Sequence, residues 1–363
     1  MLISIISYKL LRSNIMEQHE ILKQTDLLNA EGNIAEPGFA KKMLYTYNRE
    51  NIKANKMRLK EWDYYYISNK EFALCLTISD MGFVGALSLT VMDFVTPAQF
   101  TNSAICLFPM GKFNMPRTSE QGDCAWKIGK VEMKFTNDGK VRHLTGIYPN
   151  ADKLGTEVKW DITLSEFPEE SMVIATPFDK DKHFYFNQKI NCMKAEGSFF
   201  VGDKECVFAP ADSLATLDWG RGVWTYDNTW YWGSLQTRLE DGSTFGWNIG
   251  YGFGNTDAAS EDMLFYNGKA HKIGRTQFLI PHDNEKDEEP HYMENWKFVS
   301  DDGRLDCTFE PIIDRYEPFD LKVMCMIPHQ VFGYISGTAT LDDGTVINLD
   351  KVLGFAEKVH NKW

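Results

Sequence analysis

An all-β fold is what this 363-residue sequence predicts, and three observations predict it. Hairpin chemistry recurs along the chain, at Asn137-Asp138-Gly139, Asp241-Gly242, Asn267-Gly268, Asp302-Gly303 and Asp343-Gly344. These pairs supply the positive φ that two-residue hairpin turns require. Aromatic residues make up 13% of the chain, a high share that favours pleated, half-buried surfaces. Long stretches with the apolar spacing of an amphipathic helix are absent, so the fold is expected to be antiparallel β with short helices only.

The elements follow in order. Residues 1–60 read as an irregular, partly helical lead, with a short helix over Glu17–Leu28 and a turn segment around Gly32, Pro37 and Gly38. From Trp62 onward the pattern is short strands, at 64–67, 72–78, 85–91, 104–108, 130–135 and 158–164. Pro168-Glu169-Glu170 and 178–182 read as exposed loops, and Asp283–Glu289 as a solvated acidic connection. Lys134-Phe135…Asp138-Gly139-Lys140-Val141 echoes Lys297-Phe298…Asp302-Gly303-Arg304-Leu305, which suggests a duplication joined near Phe186–Glu196. The expected organisation is therefore a lead over 1–60, a first β domain over 61–190 and a second over 191–363.

The clearest hairpin is Trp230–Leu239, a turn at Glu240–Ser243, and Thr244–Phe253. With a period of two, Trp230, Trp232, Ser234, Gln236 and Arg238 share one face of its first strand. On its second strand Phe245, Trp247, Ile249, Tyr251 and Phe253 share a face, while Gly246, Asn248, Gly250, Gly252 and Gly254 take the other. A strand face built of glycine offers nothing to pack, so something must approach it closely. Either an indole of Trp230 or Trp232 lies across it, or the space is kept for a bulky ligand. The Gly250–Gly254 string has no following helix to present amides to a phosphate, so no nucleotide loop is expected.

Bulk properties narrow the function. The net charge of −13 with no basic stripe repels polyanions, so nucleic acid is not an expected partner. Seven scattered cysteines without a Cys-x-x-Cys pattern suit a reduced compartment. Met1–Ile6 lacks a preceding positive region and is cut short by Lys9 and Arg12, unlike a signal peptide. No apolar run reaches the ~18 residues of a spanning helix, and the expected location is cytoplasmic. His282 and His291 match no metal-ligand spacing, so no metal is expected. No Gly-x-Ser-x-Gly string occurs, which leaves hydrolase chemistry without support. Nothing identifies a protein partner.

The stretch Leu217–Trp232 carries four of the ten tryptophans together with Asp218 and Arg221. Indoles at that density either share a core or line a ligand site, and an acid–guanidinium pair beside them brings charge to an apolar place. Asp218 and Arg221 are the leading catalytic candidates, or else a salt bridge pinning a barrel rim. Trp219, Trp224, Tyr226, Trp230, Trp232, Trp247 and Tyr251 are the candidate ligand-binding residues. Glu261 and His329 are further catalytic candidates, with a turn or cap and a hydrogen-bonded core histidine as their structural alternatives. Glu357 reads as the cap of a closing helix or a group at a barrel mouth.

These motifs resemble domain-of-unknown-function family 2804. The resemblance rests on Asp218-Trp219-Gly220-Arg221-Gly222-Val223-Trp224, Trp230-Tyr231-Trp232, Gly246–Gly254 and Asn267-Gly268-Lys269…His271-Lys272. It continues in His329-Gln330-Val331-Phe332-Gly333…Ser336-Gly337 and Gly354-Phe355-Ala356-Glu357…Trp363. Toward the front, Glu36-Pro37-Gly38, Tyr47-Asn48-Arg49 and Glu61-Trp62-Asp63-Tyr64-Tyr65 belong to it, so it spans about Gln18 to the end. Residues 1–15 fall outside it and read as an irregular extension. Ser260-Glu261-Asp262 and Asn295-Trp296 depart from its pattern, which has Thr-Glu-Asn and Pro-Trp there.

The family's arrangement resembles tandem lipocalin-like proteins that include carotenoid hydratases, tocopherol cyclase and some fungal cyclases. The resemblance implies two lipocalin-like barrels or sandwiches and a greasy substrate handled by protein acids without a cofactor. Three functions therefore stand as expectations. The first is cofactor-free hydration, isomerisation or cyclisation of an isoprenoid or fatty-acyl molecule. The second is a non-catalytic lipid carrier or sensor. The third is carbohydrate binding, which requires exposed tryptophan platforms.

Overall fold

A computed structural model describes residues 18–283 and 289–363. Residues 1–15 and most of the Asp283–Glu289 connection lie outside the described residues. Two large antiparallel sheets dominate, of 13 and 10 strands, and helix is confined to two single 3₁₀ turns, Arg49–Asn51 and Lys56–Arg58, among the described residues. The helix expected over Glu17–Leu28 is not formed among its described residues, 18–28, where Thr25–Asp26 pairs in parallel with Tyr45–Thr46. No helix of the described residues is long and apolar enough to cross a membrane.

The first sheet orders its strands Ala98–Leu107, Val84–Asp93, Phe72–Asp80, Leu59–Ser68, Leu214–Val223, Phe184–Val201, Val158–Ser165, Arg142–Tyr148, Val131–Asn137 and Cys124–Ile128. The second runs Lys269–Lys272, Met263–Tyr266, Thr244–Tyr251, Asp227–Arg238, Val346–Lys362, Cys325–Thr340, Leu305–Tyr316, Trp296–Ser300 and Thr276–Leu279. Both follow one plan. A four-strand meander is joined at its first strand by the last strand of the domain, and the middle strands continue beyond. The long strand paired with this closing strand is bulged in each sheet, at Ile190/Met193 and at Ile335/Gly337. The duplication is therefore visible in topology. By position in this plan Trp296–Ser300 matches Arg142–Tyr148, so the sequence echo is displaced by one strand.

The domain junction also moves. Leu214–Val223 closes the first sheet and Asp227 opens the second, which places the link at 224–226 and not near 190. The Asp-Trp-Gly-Arg string accordingly belongs to the first domain. The pairing of Leu214–Val223 with Leu59–Ser68 and Phe184–Val201 is invisible in local pattern.

Each sheet curls around its own core. Leu217, Trp219, Phe186 and Ile67 are buried in the first, and Trp247, Phe278, Trp296 and Phe309 in the second. The two domains meet along a seam formed by outward faces. Tyr64 and Tyr66 of the first pack against Trp232, Phe332 and Phe355 of the second. Hydrogen bonds cross it, from Asn191 to Ser234 at 2.9 Å and from Thr216 to Gln236 at 2.9 Å.

Candidate functional site

Alternation along Leu214–Val223 decides which residues reach the seam. Leu217, Trp219, Arg221 and Val223 turn into the first barrel, while Thr216, Asp218 and Gly220 face the second domain. Asp218 and Arg221, three residues apart, therefore lie on opposite faces and do not pair. Arg221 is fully buried in the first barrel, over the Trp219 ring at 4.0 Å, bonding Asp63 at 3.0 Å. It also donates to the Pro116 carbonyl at 2.8 Å. Arg49 and Arg142 donate to the carbonyls of Met115 and Ser119, so three guanidiniums hold one short segment, 115–119. Arg221 is a structural pin of the first barrel.

Asp218 finds its partner on the neighbouring strand. Lys189, its register partner, bonds Asp218 Oδ2 at 2.8 Å, and Asn187 donates to Oδ1 at 2.6 Å. The Lys189 ammonium also sits 3.8 Å over the Trp232 ring. A buried ammonium shared between a carboxylate and an indole face is held from both sides.

Two more carboxyls come from the second domain. Glu261, in the loop after Thr244–Tyr251, lies against Gly250, where an added Cβ would stand 3.3 Å from its Oε1. Its Oε2 accepts from Asn248 at 3.2 Å, and Asn248 in turn accepts from Trp232 Nε1 at 2.6 Å. Glu357 lies on Val346–Lys362, a strand and not a helix cap, and accepts from Trp230 Nε1 at 3.0 Å and from Gln330 at 2.8 Å. Arg315 backs Gln330 at 2.8 Å. Burial raises both acids to a pKa of about 7; for Glu261, Lys189 and the Asn248 bond pull the other way, and for Glu357 the Trp230 bond and Lys189 do so.

Aromatic rings wall one side. Trp224 meets Trp62 at 5.4 Å, Trp230 at 5.9 Å and Phe253 at 4.8 Å, and Phe253 also meets Tyr185 at 4.8 Å. Gly220 makes this wall possible: a Cβ there would stand 2.0 Å from the Trp62 ring. The glycines of Thr244–Tyr251 also admit side chains from elsewhere in the fold. Gly246 admits Cys192 of the first domain, and Gly250 admits Glu261, while Trp232, the register partner of Gly250, bonds Asn248 on the same face at 2.6 Å.

The remaining candidates divide. Trp224, Trp230 and Trp232 reach the seam, whereas Trp219 and Trp247 are sealed in separate barrel cores. Tyr251 stacks on Tyr231 at 4.5 Å within the second barrel, and Tyr226 is half exposed, donating to the Val323 carbonyl. Trp219 and Trp247, both fully buried, cannot serve as exposed platforms for sugar stacking. His329 faces into the second barrel, between Tyr292 at 3.7 Å and Tyr316 at 4.3 Å, and bonds Asp314 at 2.7 Å. Its neighbour Gln330 faces the seam, so His329 stands on the far side of the sheet from Asp218 and Glu261. Lys189, Asn187, Asn248, Gln330 and Tyr185 were not legible as site residues, because only long-range pairing assembles them.

Kievitone hydratase from Nectria haematococca is similar in structure, at 12% identity and a TM-score of 0.48, covering 84% of this chain and 88% of that one. CghA matches at 9% identity and 0.48, covering 94% and 97%. Identity and overlap at this level carry nothing about chemistry. No curated protein matches in sequence. The match to the family described as "Domain of unknown function (DUF2804)" spans residues 18–363, and the chain belongs to that family.

Proposed function

We propose that the seam binds a hydrophobic small molecule, of isoprenoid or fatty-acyl type, and that Glu261 donates a proton to it. The reaction class is cofactor-free hydration, isomerisation or cyclisation. One observation carries the reading: the Glu261 carboxyl is buried, its Oε2 accepts from Asn248 at a long 3.2 Å, and burial holds its pKa up to about 7. An acid of pKa about 7 is half protonated at neutral pH and so is matched to general-acid work there.

The other groups support that role. Lys189 and Asp218 form a fixed ion pair that keeps opposite charges beside the acid. Glu357, tied through both oxygens to Trp230 and Gln330, orients the Trp230 indole. Positive charge developing on a protonated alkene would be steadied by the faces of Trp224 and Trp230 and by the Asp218 carboxylate.

Native mass spectrometry and organic extraction of the protein purified from its own host test the ligand class. A co-purified isoprenoid or acyl lipid supports the reading, and a water-soluble sugar contradicts it. With that lipid in hand, Glu261→Gln is expected to abolish turnover while leaving affinity within a few-fold. Binding without turnover in the unaltered protein would instead favour a carrier.

A further inference from the structure

A cleft of about 480 Å³ opens beside the aromatic wall, where the turn after Met172–Pro177, the interdomain link and the loop after Thr244–Tyr251 come together. Its lining is polar and includes Asp179, Asn228, Thr229, Asn255, Thr256 and Asp257. Asp227 lies there as well, already balanced by His360 at 2.9 Å and Lys362 at 3.2 Å. The described lining contains no lysine, arginine or histidine, and Arg275 touches Asp257 only through its backbone carbonyl, at 3.1 Å.

Gly252 and Gly254 line the cleft with φ of +89° and +76°, exposing backbone where a side chain would block approach. Between them Phe253 turns its ring the other way, onto Phe178 at 5.3 Å, Trp230 at 5.0 Å and Trp224 at 4.8 Å. A single residue thus separates a polar cleft from a cluster of packed aromatic rings. Behind Gly254, the fully buried Thr176 hydroxyl has no partner, and a Cβ on Gly254 would stand 2.8 Å from it.

We infer that the seam's ligand is an amphiphile whose apolar part packs against this aromatic cluster and whose uncharged, hydroxylated head lies in this cleft. The inference rests on the proposed hydrophobic reading for its tail. For the head, the Asp179 and Asp257 carboxylates only accept, while the threonine hydroxyls and asparagine amides both donate and accept, so a head with donors and acceptors fits. An anionic head would meet Asp179 and Asp257 without a compensating cation. A quaternary ammonium would satisfy charge but donate nothing.

Tryptophan fluorescence titrations with octyl glucoside, octanoate, octyltrimethylammonium and octanol, each below its micelle concentration, test this. Octyl glucoside is expected to bind at least ten-fold tighter than either charged amphiphile. In the double variant Asp179→Ala/Asp257→Ala the glucoside loses several-fold in affinity while octanol is unchanged. Equal or tighter binding of octanoate or of the ammonium overturns the head-group inference and leaves the hydrophobic seam standing. Absence of saturable binding by all four, octanol included, overturns the hydrophobic seam itself.

Discussion

Asp218 and Glu357 occupy the same place in the two halves of the molecule. Asp218 is registered with Tyr64 on one side and Lys189 on the other; Glu357 is registered with Trp232 and Gln330. Each carboxyl is bonded by the side chain of its second neighbour at 2.8 Å, and the Tyr64 and Trp232 rings meet across the seam at 6.1 Å. Repetition of one strand plan has placed two acids face to face, and their partners have diverged, to an ammonium in one half and an amide in the other.

That divergence predicts unequal sensitivity. Lys189→Met leaves the Asp218 carboxylate buried with Asn187 alone, and removing one member of a buried pair costs about 3–5 kcal/mol. Urea unfolding should show that loss. Lys189→Met/Asp218→Asn should be less destabilised than the sum of the single variants, because the pair is coupled. Strict additivity would contradict the pairing.

Stability should fall as pH rises through the acid range. Glu261 and Glu357 have folded pKa values of about 7, raised by burial above the ordinary 4.5. Between those values the folded chain binds more protons than the unfolded one, so unfolding free energy decreases with pH. The protonated acids contribute fully below about 4.5, and the contribution is gone above about 7. The shift sets an upper bound of about 3 kcal/mol for each group. Chemical denaturation at pH 5 and pH 8 checks the slope, which Glu261→Gln should flatten; a slope unchanged in that variant would contradict its raised pKa.

Gly220→Ala should disturb the aromatic wall. Its Cβ would stand 2.0 Å from the Trp62 ring, and overpacking of this kind costs about 1–3 kcal/mol. The expected sign is a change in near-ultraviolet circular dichroism together with a lower melting temperature. Wild-type spectra and stability would mean that Trp62 does not cross the strand there.

Arg221→Met should act on the first barrel and not on the ligand. Loss of the bonds to Asp63 and to Pro116 loosens segment 115–119, which contains the tryptic site Arg117. Faster cleavage after Arg117, with octanol affinity within a few-fold of the unaltered protein, is the expected result. A selective loss of octanol binding with unchanged proteolysis would return Arg221 to the seam.

Much of this fold was legible and much of the site was not, for one reason. Hairpin turns and alternation are local, so the Trp230–Phe253 hairpin and the faces of Trp232 and Trp247 followed from the sequence. The Asp218–Arg221 pairing failed although the same alternation, applied to Leu214–Val223, sets residues three apart on opposite faces. Lys189 stood in a stretch that resembled a link, and only the register of Phe184–Val201 with Leu214–Val223 brings it to Asp218. Glu261 read as a turn residue because its burial depends on Gly250, which leaves room for the carboxyl. Glu357 read as a closing-helix cap or a group at a barrel mouth, and Val346–Lys362 is a strand whose partners, Cys325–Thr340 and Asp227–Arg238, are set by the second domain's plan.

The central claim is that the seam stores a proton on a buried carboxyl at neutral pH. Infrared difference spectroscopy of the protonated carboxyl stretch from pH 5 to pH 9 reads it directly. A band lost with a midpoint near 7 is expected, its amplitude reduced in Glu261→Gln and again in Glu261→Gln/Glu357→Gln. A band that has vanished by pH 5.5, or one identical in all three proteins, would contradict it.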